Sequence, residues 1–252
     1  MKYYVLASGS QGNSTFIDFD GVGVLIDCGI SKKQLIYRMS LHGYDIKDIK
    51  YVLLTHDHYD HSKNIHCFDN KMVYAAEGCY DNLAQDHYLK PYDILTFDGF
   101  TMIPLKTSHD ATNGLGFEFI CNEKRLVYMT DTGYVSSKNA SYMIDADYYI
   151  IESNHDVNML MNTNRPMSLK NRILSDKGHL SNLDSAHLMC RLIGDQTKEI
   201  VLAHLSREAN TKELALKTYQ EVFKEKEIDT TRFKLKVASQ IDVVCGGEIN
   251  ED

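Results

Sequence analysis

The 252-residue chain lacks the features that mark several large classes of protein. Its six cysteines, Cys28, Cys67, Cys79, Cys121, Cys190 and Cys245, stand singly. They form neither a CxxC zinc knuckle nor the paired framework of a disulfide-rich secreted domain, so they read as buried thiols in a reducing compartment. There are three prolines, Pro91, Pro104 and Pro166, and no repeat or low-complexity run. Nothing marks a flexible linker, and residues 1–252 are read as a single domain. No apolar stretch approaches the roughly 20 residues of a membrane span, and the first apolar run, from Tyr3, is too short for the core of a secretory leader. The expectation is a soluble, cytoplasmic protein with no membrane partner. Basic residues are also in deficit: 27 Lys and Arg against 35 Asp and Glu give a net charge of -8. That balance excludes a protein whose main task is to coat nucleic acid. It does not exclude a nuclease, because bound divalent ions supply positive charge where phosphates arrive.

Hydrophobic residues make up 43% of the chain, enough for a substantial core. Short β-branched or tyrosine-rich runs predict strands at Tyr3–Leu6, Ser14–Phe19, Val22–Ile26, Tyr51–Leu54, Met72–Ala75, Ile94–Phe97, Met102–Leu105, Gly116–Cys121, Arg125–Met129, Tyr148–Ile151 and Ile200–Ala203. Helical patterns fall at Lys32–His42, Cys79–Gln85, Leu183–Leu192 and Thr211–Glu225. Two strand-rich halves with helices spaced through each suit an α/β layered sandwich, although strand counting alone does not choose it over other mixed folds.

The strand Tyr51–Leu54 runs into Thr55-His56-Asp57-His58-Tyr59-Asp60-His61. Alternation along the extended strand end lets His56 and His58 point the same way and share one metal ion. Asp60 and His61, at the turn into a helix, are placed for a second ion, since two-metal hydrolytic sites have separations of roughly 3.5–4 Å. Taken alone, the cluster also reads as a surface histidine run. Three more strand ends finish in a ligand-type residue: His109 in Thr107-Ser108-His109, Asp131 in Met129-Thr130-Asp131, and His204 in Leu202-Ala203-His204. Each alone is an ordinary histidine or turn aspartate; together they complete a set of imidazole and carboxylate donors suited to zinc, manganese or iron. Two divalent ions per chain are expected, lowering the pKa of water to supply hydroxide at neutral pH, with Asp60 orienting it. Asp27, ending the strand Val22–Ile26, is a candidate to orient a ligand from behind, or equally a turn cap.

The intact HxHxDH signature and these strand ends closely resemble the metallo-β-lactamase superfamily over Leu6 to about Asn210. The resemblance implies a four-layer αββα sandwich in which His56, His58 and His109 hold one metal, Asp60, His61 and His204 the other, and Asp131 bridges both. That superfamily spans several hydrolytic and oxidative chemistries, so other segments must indicate the substrate. His179, in Gly178-His179-Leu180-Ser181-Asn182 before a helix, resembles the histidine of tRNA 3′-processing relatives that assists the leaving group. It is the candidate general acid of a phosphodiester cleavage, or else a neighbour of the helix cap, and both can hold at once. Ser10, Asn13 and Ser14 in the small, donor-rich N-terminal turn, with Asn154, His155 and Asn182, are candidate substrate contacts. Lys32, Lys33, Lys170, Arg172 and Arg207 are candidate phosphate contacts, although solvated charge explains each as well.

The combined motifs Gly-Ser-x-Gly-Asn-Ser, Leu-Ile-Asp-Cys-Gly, Thr-His-x-His-x-Asp-His, Thr-Asp-Thr-Gly, Glu-x-Asn-His-Asp, Gly-His-Leu-Ser-Asn and Leu-Ala-His-Leu-Ser-Arg resemble the WalJ/YycJ family. The resemblance implies a metal-dependent 5′-to-3′ exonuclease acting on DNA, with a role in mismatch repair. Only 72 residues lie between Asp131 and His204, too few for the inserted catalytic module of the RNA-processing and DNA-repair branch. A Gly/Pro-rich substrate arm is also missing. After the last ligand the chain reads Arg207-Glu208-Ala209-Asn210, a small departure from the family's Arg-Glu-Asn-Asn. Against a nuclease with DNA as partner stand a small-molecule metallohydrolase acting on a cyclic phosphodiester, thioester or lactone, an iron-dependent oxidoreductase with the same ligands, and a non-catalytic binding protein. Retention of all seven ligands argues against the last.

Overall fold

In a computed structural model, residues 1–248 are described. The sequence reads as one continuous domain; by contacts the described chain groups into two compact units. One comprises Met1–Lys106, Ala111–Lys124 and the stretch from Ala238; the other comprises Thr107–Asp110 and Arg125–Val237.

The first unit holds β1 (Lys2–Ala7), β2 (Ser14–Phe19), β3 (Val22–Ile26), α1 (Lys32–Ser40), β4 (Ile49–Leu54), the one-turn α2 (Tyr59–Ser62), β5 (Val73–Ala76), β6 (Tyr88–Leu89), β7 (Leu95–Phe97), β8 (Phe100–Lys106) and β9 (Leu115–Cys121). A C-terminal strand, Val244–Gly247, pairs with β1, so one sheet runs from that strand through β1 to β6 in order. Pairing is antiparallel among β1, β2 and β3 and parallel from β3 through β6. The strands β7, β8 and β9 form an antiparallel ribbon. Phe16, Ile17, Leu25, Ile26, Phe117 and Phe119 are fully buried, and Phe19 stacks on Phe100 with ring centroids 4.3 Å apart. α1 is started by a capping box in which Ser31 and Gln34 bond each other's backbone amide.

The second unit contains β10 (Lys124–Met129), α3 (Ser137–Met143), β11 (Tyr148–Glu152), α4 (Val157–Asn162), α5 (Met167–Ile173), α6 (Asn182–Leu192), β12 (Glu199–Ala203), α7 (Lys212–Glu225) and β13 (Lys234–Val237). β10 to β13 pair in parallel. Every residue of β11 and β12 is buried, which explains why both read as continuous apolar runs rather than as alternating strands. Tyr219 and Phe223 on α7, one helical turn apart, are also buried, and α7 packs beside α6 and β13.

The helix expected at Cys79–Gln85 is absent. Cys79 and Leu83 are buried at the i,i+4 spacing that gives the helical pattern, but the segment is a looped turn in which Asn82 has φ 62°. A non-glycine residue in the left-handed region interrupts an α-helix.

In each unit, parallel strands end together, and their carboxyl ends are where open α/β sheets place ligands. Asp27 follows β3 and His56 lies two residues beyond β4. Asp131 lies two residues beyond β10, Glu152 ends β11 and His204 follows β12. The register of β11 on β12, with Glu152 opposite Ala203, brings Glu152 level with the strand end that carries His204.

Candidate functional site

In the first unit, the expected ligands of the His56–His61 segment converge. The ring of His56 lies 4.6 Å from that of His58 and 4.1 Å from that of His61, centroid to centroid, and Asp60 Oδ2 is 3.7 Å from His61 Nε2. Behind them sits Asp27, fully buried. It accepts hydrogen bonds from the Thr55 amide (2.8 Å), the Thr55 hydroxyl (2.9 Å) and His61 Nδ1 (2.7 Å). A carboxylate acceptor assigns the proton to His61 Nδ1 and leaves the Nε2 lone pair for a metal. Because the Thr55 hydroxyl gives its proton to Asp27, it accepts from His56 Nδ1 at 2.9 Å, so His56 also presents Nε2. Asp27 therefore stands where an orienting group would, the first of the two roles open to it from the sequence. Burial pushes its pKa up, opposed by His61 and Thr55.

Main-chain bonds fix this segment. Asn13 N donates to Asp60 O and Cys28 N to His61 O. The turn after β3 passes so close that a Cβ on Gly29 would stand 1.7 Å from the Asp60 carbonyl oxygen. The Asn13 side-chain amide, itself anchored by Gly9 N, lies 2.9 Å from His61 Nε2 and 3.3 Å from Asp60 Oδ2. An N–H donor thus occupies a place facing two lone-pair atoms, where a cation is suited, and three imidazoles and a carboxylate fit a divalent ion.

The second unit carries the other expected ligands. Donor atoms of Asp131, Glu152, His179 and His204 all lie within 4.8 Å of one another. His109 donates from Nδ1 to the Gly178 carbonyl at 3.0 Å, which directs Nε2 to within 4.0 Å of Asp131 Oδ1. Burial pulls the pKa of His109 down, favouring the neutral ligand form. At the centre is Glu152, fully buried and holding four donors. His179 Nδ1 (2.8 Å) and His204 Nδ1 (2.9 Å) bond Oε1, while the amides of Thr132 (2.9 Å) and Leu180 (3.2 Å) bond Oε2. Burial alone would raise its pKa; His179 and then His204 outweigh burial and hold Glu152 well below the usual carboxylate range. The Glu152 bond assigns the His204 proton to Nδ1 and leaves Nε2, a buried atom, as the candidate ligand atom. His179 is the most exposed side chain of this group, at 16% against 6% for His204 and none for Glu152. Ser181 caps α6, so His179 both neighbours a helix cap and joins the cluster.

Asp27, Asp131 and His204 all have left-handed backbone, with φ 59°, 54° and 57°. Each is a non-glycine residue just past a strand, where a disfavoured conformation turns a ligand or its support out of the sheet.

Glu152 is a site residue that the sequence does not single out. Its signals there are a carboxylate ending an apolar strand and the first position of the Glu-x-Asn-His-Asp motif, neither of which assigns it a role. Of the candidate substrate contacts, Ser10 is exposed and Asn13 lies against Asp60 and His61 as described. Ser14 is buried, its hydroxyl donating to the Asp27 carbonyl. Asn154 donates to the His204 carbonyl at 2.8 Å, and Asn182 accepts from the Ser153 hydroxyl and the Asn210 amide. Asn154, His155 and Asn182 are all buried, held inside their unit rather than presented to solvent. Of the candidate phosphate contacts, Lys170 is buried on the Met161 and Thr163 carbonyls and Arg172 is paired with Asp110.

Comparison with known proteins agrees with this geometry. The chain matches the beta-lactamase superfamily domain over residues 23–205. It is 39% identical over 228 residues to exodeoxyribonuclease WalJ of Streptococcus pneumoniae serotype 2 (strain D39 / NCTC 7466), covering 85% of both proteins. It is 37% identical over 238 residues to exodeoxyribonuclease YycJ of Bacillus anthracis, covering 90% of both. Among solved structures, the metallo-beta-lactamase fold protein YhfI from Bacillus subtilis superposes with a TM-score of 0.69 at 17% identity, over 97% of this chain and 99% of that one. The fold is therefore the α/β metallo-β-lactamase fold expected from the motifs. With a family match across most of the chain and relatives this similar over most of their length, the chain belongs to the beta-lactamase superfamily and, within it, to the family of WalJ and YycJ.

Proposed function

We propose that this protein is a metal-dependent phosphodiesterase, a 5′-to-3′ exodeoxyribonuclease with a dinuclear centre. His56, His58, Asp60, His61, His109, Asp131 and His204 would hold two divalent ions, Zn²⁺ or Mn²⁺, with iron a further option. The reading is supported by two relatives named exodeoxyribonucleases and by the donor chemistry of both units. The 5′-to-3′ polarity, a role in mismatch repair and a cytoplasmic location rest on the family resemblance and on composition.

The observation that carries the reaction type is the single oxygen Glu152 Oε1 accepting from both His179 and His204. One buried carboxylate holds His204 with Nε2 turned away from it and accepts from His179 Nδ1 beside it. When bound, the ions supply hydroxide at neutral pH and neutralise charge on the phosphate oxygens. Asp60 Oδ2, which accepts an N–H from Asn13, is the chain's own acceptor for a proton of the attacking water. His179 Nε2 gives its proton to the departing sugar oxygen, as the alkoxide leaving group of a phosphodiester requires.

The metal-loaded protein should digest 5′-labelled single- or double-stranded DNA. His179→Ala should lower kcat by about 10²–10⁴ while metal content, read by elemental analysis, stays the same. Intact DNA in the presence of Mn²⁺ or Zn²⁺, or an unaffected His179→Ala rate, would overturn the reading. The net charge of -8 favours a second one, a small-molecule metallohydrolase. Turnover of a cyclic phosphodiester, thioester or lactone without turnover of DNA would select it.

A further inference from the structure

The second unit carries a groove of about 850 Å³ that neither the ligands nor the proposed proton donor uses. One end abuts the Asp131–His179 cluster: Gly133 lies two residues beyond Asp131, and Leu180 adjoins His179. One side of the groove is a face of α6. Asp184, His187, Leu188 and Arg191 follow at i, i+3, i+4 and i+7, the spacing of a single helix face. From Asp184 to Arg191 that face runs about 10 Å, the length of roughly three nucleotides stacked at about 3.4 Å each.

The chemistry along the groove is ordered. Tyr134 stands at the end next to the cluster with 48% of its surface exposed. The acids are also at that end: Asp176, whose backbone packs on Gly133, and Asp184, whose carboxylate accepts from the Ser181 hydroxyl. The far end is basic. Arg191, in the last turn of α6, is exposed and has no acidic partner among the described residues. Lys226, just past α7, lines the groove beside it and shares its charge with the exposed Glu225. In a chain of net charge -8, Arg191 and Lys226 gather positive charge at this end of the groove. An exposed aromatic ring near the proposed cleavage cluster, with cations lining the same groove, combines the stacking platform and phosphate contacts of single-strand binding sites.

We propose that this groove is the track for a single strand of nucleic acid, with a base near the cleaved bond stacked on Tyr134 and following phosphates held by Arg191 and Lys226. The inference rests on the nuclease reading for its substrate class, and it is tested by binding rather than turnover. Fluorescence anisotropy of a labelled 5′-phosphorylated single-stranded oligonucleotide, titrated with metal-loaded full-length protein across a salt series, reads it directly. Tyr134→Ala should weaken binding by about 5- to 150-fold, the range for loss of one stacked base, and Tyr134→Phe should restore it. Arg191→Glu combined with Lys226→Glu should weaken binding and flatten the slope of log K against log salt by roughly 0.7 for each phosphate no longer neutralised. Lys217→Glu, an exposed charge change on α7 away from the groove, is the control and should do neither. Thermal melts that superimpose show that the variants are folded. Wild-type protein that binds no oligonucleotide, Tyr134→Ala binding unchanged, or a Lys217→Glu effect equal to that of the groove variants would overturn the proposal. If DNA binds through these residues but is not cleaved, the groove stands and the nuclease reading falls.

Discussion

Glu152→Gln is the perturbation that bears most directly on the site, because the change is isosteric and its consequences follow from the hydrogen bonds. Glu152 is acceptor to four donors, two on each oxygen. Glutamine offers one oxygen and one NH₂, so in either orientation two donors face a third. If the oxygen turns to the fixed amides of Thr132 and Leu180, the NH₂ faces His179 and His204, and each imidazole must shift its proton to Nε2 to avoid the clash. His204 then loses the lone pair that serves as ligand. If the imidazoles instead keep their Nδ1 protons, two donors are left unmatched at about 1–3 kcal/mol each, so folding stability should drop by up to about 6 kcal/mol. Metal affinity should fall by about 10- to 100-fold, the usual effect of removing a group that orients a ligand. Chemical denaturation of the chelated protein measures the first quantity, and competition with a metallochromic indicator the second. The pH dependence gives an independent check. With its folded pKa below the ordinary 4.5, Glu152 contributes stability that is present above about pH 4.5 and lost as pH falls towards the folded value. Glu152→Gln lacks that contribution, so its disadvantage relative to wild type should shrink on acidification. A variant that binds metal as tightly as wild type and is equally stable at neutral pH would refute the assignment of Glu152 as the orienting group.

Asp27→Asn should lower metal affinity by about 10- to 100-fold by freeing His61 to rotate or change tautomer; unchanged affinity in the same indicator assay would show that Asp27 is only a turn residue. Gly29→Ala places a methyl against the Asp60 carbonyl and should destabilise the fold by about 1–3 kcal/mol in urea denaturation, with a normal melt as the contrary result. His155 is buried, neither ring nitrogen has a hydrogen-bond partner among the described residues, and burial pulls its pKa from 6.5 to about 4. Because the unfolded chain binds this proton more tightly, the neutral ring's contribution is complete above pH 6.5 and lost as pH falls towards 4, by about 3 kcal/mol in all. His155→Leu should therefore flatten unfolding free energy against pH in that window, whereas parallel curves would contradict the assignment.

The parts of the site legible in the sequence are those encoded locally. His56, His58, Asp60 and His61 occupy neighbouring positions after one strand, and Asp131 and His204 each follow an apolar run closely, so periodicity and a strand end suffice to find them. Glu152 escapes because its role depends on His179 and His204, 27 and 52 positions away. In sequence it is a polar residue closing a strand. The burial of Ser14 and Asn182 escapes for a related reason: small polar residues in a turn or at a cap read as donors facing solvent, and only tertiary partners such as Asn210 show that they face inward. Short helices are equally opaque. α3, α4 and α5 have seven residues or fewer, too few for a 3.6-residue period to emerge, although Ser136 and Asp156 cap two of them in the ordinary way. At Cys79–Gln85 the period is present but belongs to a loop that buries two side chains four residues apart.

The two carboxylates behind the histidines differ in a way that fits two tasks. Asp27 faces one imidazole, and burial prevails: its pKa is raised. Glu152 faces two, and together they prevail over the same burial: its pKa is lowered. A metal ligand must be a neutral imidazole, and Asp27, accepting from His61 Nδ1, leaves the other ring nitrogen to serve as the ligand atom. A general acid must be an imidazolium at working pH, which requires a firmly ionised partner. Glu152 provides one, and its Oε1 accepts from His179 Nδ1 as well as from His204 Nδ1. What separates the two carboxylates is the number of imidazoles they hold, one on Asp27 and two, a candidate ligand and the candidate acid, on Glu152. It arises because β11 and β12 end level, so Glu152 meets His204, while the turn before α6 brings His179 to the same atom.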